Sequence, residues 1–474
     1  MKKITQYKFL LRILTISAHV IVLAIILPGC KKSIEIDPPI DRIITDQVFE
    51  SNATANSAVA GLYSQMMSTP YSFYSGYIEI YSGLSADEWD NTTSYNLEDD
   101  FRNNAIKSDN TIIQTNFWAQ PYFYIYTCNA LIEGLEKSTS LTDSARNQLL
   151  GEAKFNRALN YFYLTNFFGD VPLVLTTDSK VSSKIARTAS STVIDQIITD
   201  LKDAQSLLTP VYYGTDKARP NKWAATALLA RVYLYKQNWS GAEAEAGAVI
   251  NAGMYELVDV DNTFLTDGNT ESLWTLFSSN TYFNTSFYPM YFVPAYNGMI
   301  PTYTISPSLL SSFETGDKRK ASWIGTTTID VNGVPTDFNY LNKYKDIGGS
   351  TSVTEAPMPL RLAEQYLIRA EARAHLNKLL EAKDDLSAVR QRAGLTTITF
   401  SDQSSILSAI EHERQVELFG EWGHRWFDLK RNGDATTVLA PIKGPSWQGT
   451  DIYYPIPVAE ILKFKGLSQN DGYK

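Results

Sequence analysis

Residues 409–433 read AIEHERQVELFGEWGHRWFDLKRNG. Ile410, Val416, Leu418 and Phe419 are the apolar positions of an amphipathic helix, while Glu411, Glu413, Arg414 and Glu417 have to be exposed or paired. Gly420 ends the turn. A helix with one apolar face needs other helices to cover it, and the same periodicity recurs along the chain.

Upstream, Thr142 to Phe168 carries Leu149, Leu150, Ala153, Ala158, Tyr161, Phe162, Thr165 and Phe168 near helical spacing, then stops at Gly169-Asp170-Val171-Pro172. Thr192 to Leu208 places Ile194, Ile197, Ile198, Leu201, Ala204 and Leu208 on one stripe, closed by Pro210 and Gly214. Leu229-Ala230, Tyr233, Trp239, Ala242 and Ala246 are similar to a tetratricopeptide repeat, with an alanine twelve positions after the first small residue. Ala370, Ala382, Leu386 and Val389 repeat the twelve-residue step, although Arg373 stands where a tyrosine is usual. Short side chains at these positions let two antiparallel helices touch. Copies this far apart predict an interrupted array rather than a continuous solenoid.

Two regions differ in kind. Ser272 to Phe313 contains no Asp, Glu, Lys, Arg or His, yet carries Trp274, Phe277, Tyr282, Phe283, Phe287, Tyr288, Tyr291, Phe292, Tyr296, Tyr303 and Phe313. Pro289, Pro294, Pro301 and Pro307 rule out a long helix there, which predicts strands and loops. A second aromatic region runs from Tyr71 to Tyr95, ending in Trp89 and Asp90-Asn91-Thr92-Thr93-Ser94.

The first thirty residues form a basic start (Lys2, Lys3, Lys8, Arg12), an apolar run from Ile13 to Leu27, and Leu27-Pro28-Gly29-Cys30. The run of about fifteen residues is short for a bilayer-spanning helix, which needs roughly twenty. The tetrapeptide resembles the lipobox of bacterial lipoproteins. That resemblance implies a lipoprotein signal peptide at 1–29, lipidation of Cys30, and a tether at 30–40 leading to a single globular domain at 41–474. Without residues 1–29 the chain holds 38 basic against 51 acidic groups, a balance that argues against nucleic acid as a partner. Cys128 would then be the one cysteine besides Cys30, leaving no disulfide within the mature chain.

The order Glu413-Arg414, Glu417-Leu418, Gly420-Glu421, Arg425-Trp426-x-Asp428-Leu429 and Arg431 resembles the signature of the SusD/RagB family of outer-membrane nutrient-binding lipoproteins. Gly151-Glu152-Ala153-Lys154-Phe155-x-Arg157-Ala158, Arg361-Leu362-Ala363-Glu364-x-Tyr366-Leu367-Ile368-Arg369-Ala370-Glu371-Ala372 and Tyr454-Pro455-Ile456-Pro457 match further parts of that family in the same order. The resemblance implies a mostly α fold of about four tetratricopeptide-like helix hairpins. A loop-rich, partly β binding region is expected at roughly 71–100 and 272–350, with the family's C-terminal segment at 355–474. It also implies a lipid-anchored protein on the cell exterior that captures oligosaccharides for a SusC-like TonB-dependent transporter. A peptide cargo, as in some relatives, and a tetratricopeptide-like scaffold that binds only protein stay open beside it. Lys31-Lys32 after Cys30 depart from the acidic run often associated with surface export.

Glycans present an apolar C–H face and a rim of hydroxyls, which flat rings and polar side chains match. Trp89 stands among Asp87, Glu88, Asp90 and Asn91, surroundings that argue for the surface, and Trp323 follows the charged Asp317-Lys318-Arg319-Lys320. Tyr95, Tyr291 and Tyr296 complete the expected stacking set, with Asp87 and Asn91 as hydroxyl partners. No cofactor is expected, and no catalysis. There is no Gly-x-Ser-x-Gly and no Gly-Lys-Ser/Thr loop, and Val416 stands where the zinc helix begun by His412-Glu413 needs histidine. The four histidines offer little for a metal. A glycosidase carboxylate pair is defined by its separation through space rather than by spacing in the sequence.

Overall fold

Thr142 opens the longest helix among the described residues: its hydroxyl accepts from the Ala145 N–H, and Gly169, at φ 71°, closes it at the turn read from the sequence. The computed structural model describes residues 45–93, 95–278, 287–296, 298–347 and 353–473. The signal peptide, Cys30, the tether, Ser94, Tyr282 and Phe283 lie outside the described residues.

Ten helices make the frame within Phe49–Lys474, which is one compact unit. They are α1 (Asn52–Met66), α2 (Gln120–Lys137), α3 (Asp143–Phe168), α4 (Ser190–Leu207), α5 (Lys222–Tyr235), α6 (Trp239–Ile250), α7 (Leu362–His375), α8 (Leu379–Arg392), α9 (Gln403–Leu418) and α10 (His424–Asn432). Helices α2 to α8 pack in sequence order, each against the next, and α9 packs on α7. The expected helical array is therefore present. Ala230 and Ala242, and likewise Ala370 and Ala382, are fully buried where their helices meet.

The array is interrupted in sequence but continuous in space. Helices α6 and α7 are separated by residues 251–361, yet they lie side by side. The Trp239 ring stacks on His375 at 3.8 Å and 10°. Arg373, the apparent departure from the repeat, pairs with Glu243 of α6 at 3.2 Å and Asp385 of α8 at 2.7 Å. The odd residue is a cross-repeat clasp.

Most charges of the signature stretch are buried and partnered rather than exposed. Glu413 pairs with Arg319 at 2.6 Å, Arg414 with Asp428 at 2.7 Å, Glu421 with Lys343 at 2.5 Å and Arg425 with Asp87 at 2.7 Å. Glu417 binds Arg319, Arg361 and Arg392. Because Arg319, Lys343 and Arg361 come from the segment between α6 and α9, this network ties the inserted region to the signature helix.

The β content is small, as expected. Trp89–Asn91 pairs antiparallel with Tyr303–Ile305, Ser272–Trp274 with Leu360–Arg361, and Ile324–Val331 forms a hairpin with Val334–Leu341 across Asn332-Gly333. Tyr71 to Tyr95 is more ordered than the loop-rich reading: residues 73–77 make a wide helical turn, and Ile78–Ser85 continues as a wholly buried helix.

Candidate functional site

A group of partly exposed rings is built where the Tyr71–Tyr77 turn meets the largely buried Tyr288–Phe292 helix. Ser72 and Ser75 bond side chain to side chain at 2.8 Å, and the Ser75 hydroxyl donates to the Thr69 carbonyl at 2.7 Å. The Phe73 N–H donates to Gln120 Oε1 at 2.8 Å, fixing the turn on α2. Tyr71 is held in the left-handed region at φ 58°. Its N–H donates to the Tyr291 hydroxyl at 2.5 Å, and its carbonyl accepts from Asn116 Nδ2 at 3.2 Å. The Tyr291 ring fills the notch beside Gly76, where a Cβ would come within 2.4 Å of it. Only glycine fits there.

Tyr71, 53% exposed, sits edge-on to Tyr291 at 5.0 Å and to Tyr77 at 6.2 Å. Burial raises the Tyr77 hydroxyl pKa, and Glu98, Tyr71 and Tyr95 lie close enough to raise it further. Tyr95, 51% exposed, precedes the short helix Asn96–Arg102, whose first turn carries Glu98. The carboxylate of Glu98 accepts from the Tyr303 hydroxyl at 2.8 Å and from Tyr81 at 3.5 Å. Burial holds Glu98 above the usual carboxylate range, against the pull of those two hydroxyls. The pairing of Trp89–Asn91 with Tyr303–Ile305 brings the two distant aromatic regions together. The result is an open face of rings and hydroxyls with one half-buried carboxyl beneath. Such a face can stack on C–H surfaces and bond hydroxyls.

Tyr95 and Tyr296 are exposed, the latter at 68%. The structure corrects the placement of Trp89 and Trp323, which are only 2% and 1% exposed. Trp89 donates from Nε1 to the Glu79 carbonyl at 3.1 Å and packs 5.2 Å from Phe292. Trp323 donates to the Val260 carbonyl at 2.9 Å and lies under the Lys343 ammonium at 4.4 Å. Asp87 is spent in a two-pronged bond with Arg425, and buried Tyr291 serves the backbone of Tyr71. Asn91 binds the Thr93 carbonyl and Asp99. The polar neighbours misled because Asp87 and Glu88 are themselves buried, the first against Arg425 and the second accepting from the Gly420 N–H at 3.0 Å. Tyr71, Tyr77 and Glu98 were absent from the expected set. The Pro70-Tyr71 turn and Gly76 are the local signals that point to them.

Two hollows lined by a cation lie elsewhere. One of about 730 Å³ is lined by Lys217, whose ammonium donates to the Asn269 and Ser272 carbonyls. The other, about 480 Å³, is lined by Arg187, which binds the Asp170 carbonyl, Ser468 and Asn470. Their cations are committed to the protein itself. Among the described residues no group of acidic, histidine or cysteine side chains is arranged to hold a metal ion, and no helix is long and apolar enough to cross a membrane.

Comparison with known proteins agrees with the fold. Residues 35–234 match a family model described as starch-binding and associating with the outer membrane, and residues 274–473 match the SusD family model. A SusD-like protein of Formosa agariphila is 25% identical over 94% of this chain and 97% of its own length. A SusD superfamily protein of Bacteroides vulgatus superposes with a TM-score of 0.80 at 22% identity, covering 90% of this chain and 100% of that one. A laminarin-binding SusD-like protein does so at 0.74 and 23%, with the same coverage. At such identities the superpositions speak for the fold alone. Both family models, on the two halves of the chain and around the signature stretch, assign it to one group: the protein belongs to the SusD/RagB family.

Proposed function

We propose that the protein captures neutral oligosaccharides on the Tyr71–Tyr77–Tyr95 face and hands them unchanged to a SusC-like TonB-dependent transporter, while Cys30 anchors it to the outer membrane. The observation that carries this reading is the pair of half-exposed tyrosines, Tyr71 and Tyr95, on either side of the partly buried Tyr77, with Glu98 close by. The starch-binding description of the matching family and the laminarin-binding relative support a glycan as cargo. An open ring face suits a chain passing across it better than a small molecule enclosed on all sides. Each stacked ring adds about 0.5–1.5 kcal/mol beyond area burial, so a few rings give micromolar to millimolar affinity, about −8 to −4 kcal/mol.

A glycan array followed by calorimetry with laminarin and maltoheptaose tests the proposal. Binding with intact oligosaccharide recovered afterwards is expected. Silence across the array, or shortening of the bound chain, overturns it.

A further inference from the structure

The non-glycine residues with positive φ among those described are Tyr71, Asn104, Gln237, Asn332, Asn377 and Trp422. Asparagine tolerates that region, and Trp422 is buried, its backbone bonded to Glu79 and its indole to the Met358 carbonyl. Tyr71 alone combines a bulky ring, a left-handed backbone and half exposure. The conformation costs an L-residue about 1–2 kcal/mol, and glycine would make the same turn without that cost.

Such strain persists only where the surroundings over-determine it. Here they do so from two sides. The Tyr71 N–H is taken by the hydroxyl of Tyr291, 220 residues away, and its carbonyl by the amide of Asn116, 45 residues away. Tyr291 in turn is wedged beside Gly76, at φ 118°, and donates no ring face to solvent. Both backbone groups of Tyr71 are thus fixed by side chains, and its ring is left to lean edge-on against Tyr291 and Tyr77.

We infer that Tyr291 is a positioning residue: it clamps Tyr71 in a strained backbone conformation so that the Tyr71 ring is a preset platform for one sugar unit. This rests on the glycan reading above and says how that face reaches its affinity. A ring set in place before binding loses less freedom when a sugar lands on it. The strain is the cost of that readiness.

The test uses the full chain, with laminarin and maltoheptaose as probes. Tyr291→Phe keeps the wedge beside Gly76 and removes the acceptor; in the melt the lost hydrogen bond is offset by release of the strain at Tyr71, so the melting temperature should move little, while the ring is no longer preset and affinity should fall about three- to tenfold. Tyr71→Gly keeps both clamps and relieves the strain, so it should melt about 1–3 °C higher while losing glycan affinity. In the Tyr71→Gly background, Tyr291→Phe should cost no further affinity, because the two act through one ring.

A Tyr291→Phe protein that binds as wild type, or a Tyr71→Gly protein that keeps its affinity, overturns the assignment while leaving glycan capture standing. Equal losses of melting temperature and affinity in Tyr291→Phe would reduce Tyr291 to a packing role. Wild-type protein that binds neither probe nor any glycan on the array removes the glycan reading and this assignment with it.

Discussion

Arg361 and Glu417 face each other at 2.5 Å with both side chains almost completely buried, one from the end of the inserted region and the other from the signature helix. Glu271 and Glu421 close on the same guanidinium at 2.9 and 2.6 Å. Burial opposes charge on Glu417, yet Arg392, Arg361, Arg319 and Lys343 overcome it and hold its carboxyl well below the usual range. Breaking a buried pair by removing one partner leaves an uncompensated charge, at about 3–5 kcal/mol. Arg361→Met is expected to lose that much in denaturant unfolding, and Arg361→Lys to recover only part, since one ammonium cannot serve three carboxylates in a plane.

Glu79 and Glu88 predict a specific pH dependence. Burial pushes each up to about 8, against the Trp422 N–H and the Gly420 N–H respectively, which favour the charged forms. Between the ordinary carboxylate value and about 8 the folded protein holds protons that the unfolded chain has released. Their contribution is complete in acid and falls as pH rises, by about 1.4 kcal/mol per pH unit for each group. Glu79→Gln and Glu88→Gln should flatten the fall in unfolding free energy between pH 5.5 and 7.5 relative to wild type. Lys343 and Lys443, pushed down to about 8 by burial, and Lys430, pushed down to about 7, act with opposite sign as pH rises, while Asp451, pushed up to about 6, adds to the fall at the acid end, so the difference between wild type and each glutamine variant isolates the two glutamates.

Trp89 should matter for stability. A Cβ at Gly83 would stand 1.8 Å from the Trp89 Nε1, so Gly83→Ala forces the ring to move and should cost about 1–3 kcal/mol. Trp89→Ala leaves a large cavity and should cost about 3–5 kcal/mol. Thermal unfolding of both variants checks this; wild-type melting with lost glycan binding would instead make Trp89 a surface ring.

Tyr95→Ala and Tyr77→Ala should each weaken binding of laminarin or maltoheptaose by about two- to tenfold, the worth of one stacked ring, with Tyr95→Ala changing stability least because its ring is half exposed. Calorimetry against those glycans, beside thermal melts, separates the two effects.

Much of the frame was legible because periodicity and end signals record burial directly: Thr142, Gly169 and the alanine steps at 230–242 and 370–382 stand where the helices need them. The site was less legible. A tryptophan among acids looks exposed only while the acids have no visible partners, and Arg425 lies 338 residues from Asp87. Nothing local announces such a pairing. Tyr71 was hidden for a different reason: its meaning lies in a backbone angle set by Tyr291 and Asn116, and composition does not carry angles.

The contact between Trp239 and His375 has a wider consequence. Because the chain departs from the frame and rejoins it at adjoining helices, the excursion between them resembles a cartridge plugged into a fixed socket, with Arg319, Lys343 and Arg361 as its contact pins. Between the first two pins the outer part of the Ile324–Leu341 hairpin is largely exposed and can vary without unseating the buried Trp323 and Leu341 at its base. A lineage can therefore redraw the rim of the cartridge while its buried pins and the chassis stay as they are.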